Sequence, residues 1–291
     1  MSAVAAAGTQ VLAIPTILDQ PERRFPLGLA PEIPRIRNLF KAATRAQWDP
    51  RIDIPWAKLD PSQYSEATRY AARQYWSRRA WGEYGAISES PALQIRFCQE
   101  HRAPDMRLFF TIRSQEESRH AEVCYRMAEK LGGYYPQPAQ SAYQGSVATH
   151  GVRKLALDPK VPLEGVIAAL VCAAEEIAFD VFRHLIDITT NPVARQVCRL
   201  VQRDEVRHCA FGWAFLDQRM PELSAQERAA VRDAVITMIE KVELNGYHSA
   251  WLAPDNPASR AEIEVDRLTW EAGLGATTAI LPWANPWKNA T

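Results

Sequence analysis

Two short strings in this chain carry residues that could do chemistry together: Glu116-Glu117-Ser118-Arg119-His120 and Asp204-Glu205-Val206-Arg207-His208. Both read acid-Glu-x-Arg-His, and their starts, 116 and 204, lie 88 residues apart. A glutamate and a histidine at i and i+3 project from one side of a helix, one turn apart. Carboxylate oxygen and imidazole nitrogen are both ligands for first-row transition metals. Two such pairs on two helices, with one more glutamate from each of two further helices, make a two-metal carboxylate site. A lone Glu-x-x-His is common on helix surfaces, so it is the second copy with the same flanks that points to a metal. The rest of the chain must then supply two more helices and two more glutamates.

The elements that could do so are legible. Helical patterning runs from Ser62 to about Glu89, and again from Pro104 to about Leu131, where Gly132-Gly133 stops it. Residues 132–162 are rich in Gly, Pro and Gln and read as a long crossover. A third helix covers 163–188, and Thr190-Asn191-Pro192 starts a fourth that reaches about Met220. Ser224 with Glu227 forms a capping box for a fifth, expected to reach about Trp251, and a short helix follows over 258–272. Residues 1–60 hold seven prolines and are expected to form an extended arm, with Phe40, Trp48 and Trp56 as anchors onto a single domain over 61–291. No strand pattern competes. The expected fold is all-α, a ferritin-like four-helix bundle core with additional helices, two short connections and one long one.

Residues equidistant from a helical turn lie level in an antiparallel hairpin. Glu83 and Glu117 have their midpoint at 100, near the break at His101–Pro104, and Glu176 and Glu205 have theirs at Thr190-Asn191. Each hairpin thus sets one lone glutamate beside one Glu-x-x-His. Spacing leaves Glu89 open beside Glu83, and Glu175 open beside Glu176. Two Fe(II) ions would be neutralised by four carboxylates, which makes burial of the whole far less costly than burial of either part. Glu116 and Asp204 are placed to accept the ring N–H of the histidine in the opposite string, with Arg119 and Arg207 pairing with those acids.

Composition excludes several alternatives. Lys plus Arg equals Asp plus Glu at 34 each, so neither nucleic acid nor a charged membrane surface is an expected partner. No apolar run is long enough to span a membrane, and no basic stretch precedes the alanine-rich start as in a secretion signal. Five cysteines without a CxxC pair are expected as reduced thiols in a cytoplasmic protein. Cys172 and Cys209 are expected as core residues, Trp76 and Trp213 as core packing, and His101, His150 and His248 at the surface or in turns. Trp251, Trp270, Trp283 and Trp287 are expected to cap the bundle or form a homodimer contact.

The string Trp81-Gly82-Glu83-Tyr84-Gly85-Ala86-Ile87 resembles the first ligand helix of the bacterial multicomponent monooxygenase hydroxylases, the soluble methane and toluene monooxygenases. Residues 116–120 and 204–208 resemble their two Glu-x-x-His helices, and Glu176-Ile177-Ala178-Phe179 resembles the third. Over about residues 65–220 the resemblance implies a ferritin-like di-iron carboxylate oxygenase. It implies Glu83, Glu117, His120, Glu176, Glu205 and His208 as ligands of two Fe ions; manganese in one site fits the same donors. Ribonucleotide reductase small subunits carry a radical tyrosine four residues after the first histidine; Cys124 stands there instead. The para-aminobenzoate N-oxygenases carry an extra histidine four residues before the last glutamate. Val201 stands there, which weighs against a close N-oxygenase relative. Asp180 replaces the hydroxylases' threonine near the iron.

Helical spacing from Glu83 and Glu176 puts Arg79, Asp180 and His184 beside the metals, which suits a polar small-molecule substrate. The first expectation is therefore O2-dependent hydroxylation of such a substrate, with electrons from an external reductase or ferredoxin. Alternatives on the same site are N-oxygenation, desaturation or oxidative C–C cleavage, and in another class a ferritin-like ferroxidase.

Overall fold

A computed structural model describes residues 32–135, 152–253 and 255–275. The sequence expectations for 1–31, for His150, and for Trp283 and Trp287 lie outside the described residues. In chain order the helices are α1 (Pro34–Arg45), α2 (Glu66–Gln99), α3 (Pro104–Lys130) and α4 (Val152–Leu157). Next comes a continuous α5, made of Leu163–Ile167, a π-helical segment Ala168–Ala174, and Glu175–Ile188. The remaining helices are α6 (Pro192–Arg219), α7 (Ala225–Lys241) and α8 (Pro257–Glu271). The described residues contain no strand, and no helix among them is long and apolar enough to cross a membrane.

Helix starts follow the capping residues. Ser65 caps α2 through Thr68 N, Asn191 caps α6 through Val193 N and Ala194 N, and Ser224 with Glu227 closes a complete capping box on α7. Three boundaries differ from the sequence reading. α2 does not stop near Glu89 but continues through Pro91 to Gln99. Pro91 is exposed, so the carbonyl its ring leaves unpaired can reach water. The stretch before residue 60 is not wholly extended, because Pro34 sits at the first turn of α1, where its missing N–H costs nothing. α7 ends at Lys241, and the chain then breaks into 3-10 turns that lead back over the bundle.

α2 pairs with α3, and α5 with α6, as two antiparallel hairpins, with α1 lying across α3 and α6. The long connection is tied down by Arg96, whose guanidinium donates to Ala156 O, Asp158 O and Val161 O. The core forms two apolar layers. One holds Phe97, Phe109, Phe110, Leu163, Phe211 and Phe215; the other holds Trp76, Val123, Met127, Phe182, Val197 and Val201. Every one of the four long helices enters both layers. Between its two apolar stretches each helix carries the acidic and histidine residues identified in the sequence, so these come to lie in one polar stratum.

Candidate di-metal centre

Glu83 on α2, Glu117 and His120 on α3, and Glu205 on α6 present ligand atoms that all lie within 4.8 Å of one another. Glu117, Glu175 on α5, Glu205 and His208 on α6 form a second group by the same measure. Glu117 and Glu205 belong to both groups, as bridging carboxylates would. His120 Nδ1 lies 3.2 Å from Glu205, 3.5 Å from Glu117 and 3.6 Å from Glu83. His208 Nδ1 lies 2.8 Å from Glu205 and 3.4 Å from Glu117. His120 Nδ1 is buried and makes no hydrogen bond although three carboxylates surround it. A metal ion placed among them would satisfy that nitrogen, so the donor set fits two metals.

The other ring nitrogens are already engaged. His120 Nε2 faces Asp204 at 3.3 Å and His208 Nε2 faces Glu116 at 2.9 Å, each reaching across to the opposite string. Arg207 donates to both Glu116 and Asp204, and Arg119 donates to Asp204 at 3.2 Å. The indole of Trp48 donates to Asp204 at 2.8 Å, so that anchor of the N-terminal arm lands on the carboxylate that faces His120. These contacts fix the ring orientation and leave each Nδ1 facing the cluster carboxylates, where a metal would bind.

Charges within the stratum are strongly coupled. Burial lowers the pKa of His120, but Asp204, Glu117, Glu205 and Glu83 outweigh it and hold the value well above normal. Burial likewise opposes the charge on His208, yet Glu205 and Glu116 raise its pKa to about 10. Burial raises Asp204, but His120, Trp48 and Arg207 hold it well below the carboxylate range. Burial pushes Glu175 up to about 8, although the Arg113 guanidinium opposes the shift. In the absence of metal, protons on the imidazoles balance the carboxylates, and metal ions would take their place.

The structure corrects the choice of glutamate on α5. Glu175, not Glu176, enters the cluster; Glu176 instead accepts a hydrogen bond of 3.1 Å from the indole of Trp213. The π-helical segment just before Glu175 takes in one residue more per turn than an α-helix and so rotates the rest of α5. The buried residues beyond it, Ala178, Val181, Phe182 and Leu185, share the face of Glu175. Asp180 and His184 share the face of Glu176 and therefore miss the site. Asp180 is exposed and pairs with Arg183 at 3.1 Å, while His184 is half-buried and lines no part of the cavity beside the cluster. Arg79 does line that cavity, paired with Glu83 and stacked over the Phe182 ring at 4.2 Å. Glu83 rather than Glu89 reaches the cluster, and Glu89 lies further along the cavity wall.

That cavity has a volume of about 150 Å3 and opens onto Glu83, Glu117, Glu175 and Glu205. Its size is roughly that of the ~150 Å3 cavity known to admit a benzene ring. Several of its residues were not identified from the sequence. Arg113 donates to Ser90 at 2.8 Å and pairs with Glu117 at 3.0 Å and with Glu175. It precedes Glu117 by four residues, as Arg79 precedes Glu83, and that shared spacing was the available signal. Tyr247, His248, Ala250 and Glu262 close the cavity from the segment after α7. His248 lies in a turn, as expected, and is half-buried there, where it also lines the cavity. Trp213 is exposed rather than core, whereas Trp76 is buried and His101 is exposed. Cys172 and Cys209 are buried and belong to neither ligand group. Burial pushes the Cys124 thiol up to about 12, so it stays protonated.

Residues 56–245 match the family model described as P-aminobenzoate N-oxygenase AurF. Among solved structures, the R2-like ligand-binding oxidase from Sulfolobus acidocaldarius is similar over 87% of this chain and 98% of its own, with 17% identity and a TM-score of 0.62. An R2-like ligand-binding oxidase with aerobically reconstituted Mn/Fe cofactor is similar over 84% of this chain and 93% of its own, with 17% identity and a TM-score of 0.54. At that identity these two structures speak to the fold. No curated protein matches the sequence.

Proposed function

The chain belongs to the P-aminobenzoate N-oxygenase AurF family, and from that premise and the site geometry we propose that it oxygenates the nitrogen of a small amine. It is a di-metal oxidoreductase of ferritin-like fold. Membership corrects the inference drawn from Val201. That residue is buried in an apolar layer, and its lack of an imidazole does not separate the chain from the N-oxygenases. N-oxygenation therefore takes precedence over the hydroxylation first expected.

The observation that carries the proposal is the opening of both carboxylate–histidine groups onto one compact cavity. Glu83, Glu117, His120, Glu175, Glu205 and His208 are the residues that would hold the metals. Two bound iron ions, or manganese and iron, would supply O2 activation. The protein's own groups do the rest. Glu116 and Asp204 hold the imidazoles, Arg119 and Arg207 hold those acids, and Phe182, Leu93 and Val171 supply apolar parts of the cavity wall. Arg79 and Arg113 each hold a cluster glutamate from the cavity side, so their charges are already compensated. The balanced reaction places one oxygen atom on the amine and releases the other as water, consuming two electrons and two protons from an external donor.

The test supplies the iron-loaded protein with a chemical reductant, 18O2 and 4-aminobenzoate, then a panel of other arylamines. A mass increase of one 18O per hydroxylamine formed, lost on removal of iron, is the expected result. Label in a C–OH product would return the reading to hydroxylation, and no label in any product would refute oxygenation of these compounds.

A further inference from the structure

Part of the cavity wall comes from beyond the matched family region. The match ends at residue 245, whereas Tyr247, His248, Ala250 and Glu262 lie past it. This segment is strapped to α2, because Arg78 donates to Asp266 at 2.8 Å and pairs with Glu262 at 3.6 Å, and the Trp76 indole donates to Leu274 O. The polar groups it brings to the cavity therefore lie outside the matched residues.

One pair among them is built for recognition. His248 Nδ1 lies 2.9 Å and 3.0 Å from the two carboxylate oxygens of Glu243, which is itself 1% exposed. A buried carboxylate on one ring nitrogen fixes the imidazole tautomer with the proton at Nδ1. In the neutral ring the lone pair is then at Nε2, which makes no hydrogen bond to the protein among the described residues. The Tyr247 ring stands edge-on to the imidazole at 4.5 Å and fixes its plane. Other charges on this side are already committed, since Arg78 serves Asp266 and Glu262.

We propose that the Glu243–His248 pair selects the substrate, with His248 Nε2 accepting a hydrogen bond from a substrate N–H or O–H at the cavity wall. The inference rests on the reading of this cavity as the substrate site, and it is tested by equilibrium binding so that failure of turnover and failure of recognition are separate results. Aniline and toluene have nearly the same shape, and only aniline has N–H donors. Calorimetric titration of the iron-loaded protein under argon is expected to show aniline binding about tenfold more tightly than toluene, the value of one net hydrogen bond. His248→Phe should reduce that ratio to about twofold or less. His248→Gln, which keeps an acceptor, should preserve most of it. Iron content and thermal midpoint measured on each variant identify the folded proteins. A wild-type protein indifferent to the two ligands overturns the proposal. So does an unchanged ratio in His248→Phe, or a loss in His248→Gln as large as that in a folded His248→Phe. Oxygenation of an amine with no such discrimination would leave the reaction standing and remove His248 from it.

Discussion

At the scale of the residue, adjacent glutamates on α5 have opposite fates. Glu175 turns inward to share Glu117, Glu205 and His208, while Glu176 turns outward to Trp213. Glu175→Ala should leave the second metal position short of a ligand and lower bound iron from about two per chain towards one, while Glu176→Ala should keep about two. Iron quantified on protein reconstituted anaerobically checks both. Equal iron in the two variants would remove Glu175 from the ligand set. The doubled acid-Glu-x-Arg-His string made the rest of the cluster legible, because a helical i, i+3 pair keeps its meaning in any α-helix. The α5 glutamate was not legible in the same way. A π turn leaves no fixed residue signature, and the resemblance of Glu176-Ile177-Ala178-Phe179 pointed to the wrong neighbour. Asp180 and His184 were displaced by that same one-residue rotation. Arg113 was missed for a different reason, since an arginine one turn before a glutamate also describes an ordinary surface pair.

At the scale of the element, the π segment must fit against α6 at close range. Gly212 makes this contact: a Cβ there would lie 2.8 Å from both Cys172 Sγ and Val171 O. The sulfur could rotate aside, but the carbonyl belongs to the backbone of the π segment itself. Gly212→Ala should therefore push α6 away from α5 and cost roughly 1–3 kcal/mol, the usual penalty for overpacking a tight core. Urea unfolding of the variant measures the loss, and a midpoint equal to wild type would show that the segment yields freely. Gly212 lies one turn beyond His208 on α6, so the displacement should also weaken iron binding. The existence and order of the four long helices could be read from caps and prolines, whereas α1 was hidden in a proline-rich stretch. The passage of α2 through Pro91 and the close contact at Gly212 depend on which face meets water or a neighbour, and that information is held by the packed molecule.

At the scale of the whole molecule, the polar stratum is held between two apolar layers that share all four long helices. The layers keep water away from the cluster only if the ends of the bundle stay closed. Glu164, in the first turn of α5, closes the end beyond the phenylalanine-rich layer. It pairs at 2.8 Å with Arg102 from the α2–α3 turn and at 2.8 Å with Arg219 at the end of α6. It therefore joins both hairpins. Burial raises its pKa, but the hydrogen bond from Arg219 and the charge of Arg102 outweigh burial and hold it below the ordinary 4.5. A carboxylate depressed in the folded state contributes stability at pH values above its unfolded pKa. That contribution is lost as pH falls through the folded value. Glu164→Gln should accordingly cost about 2 kcal/mol at pH 7, the order expected for hydrogen bonds to a charged group. The difference from wild type should stay constant above about pH 5.5, a unit clear of that ordinary value, and shrink as pH is lowered past 4.5. Urea titrations of both proteins at pH 7 and pH 3.5 test this. A gap that does not narrow in acid would mean that Glu164 closes the bundle by shape and not by charge.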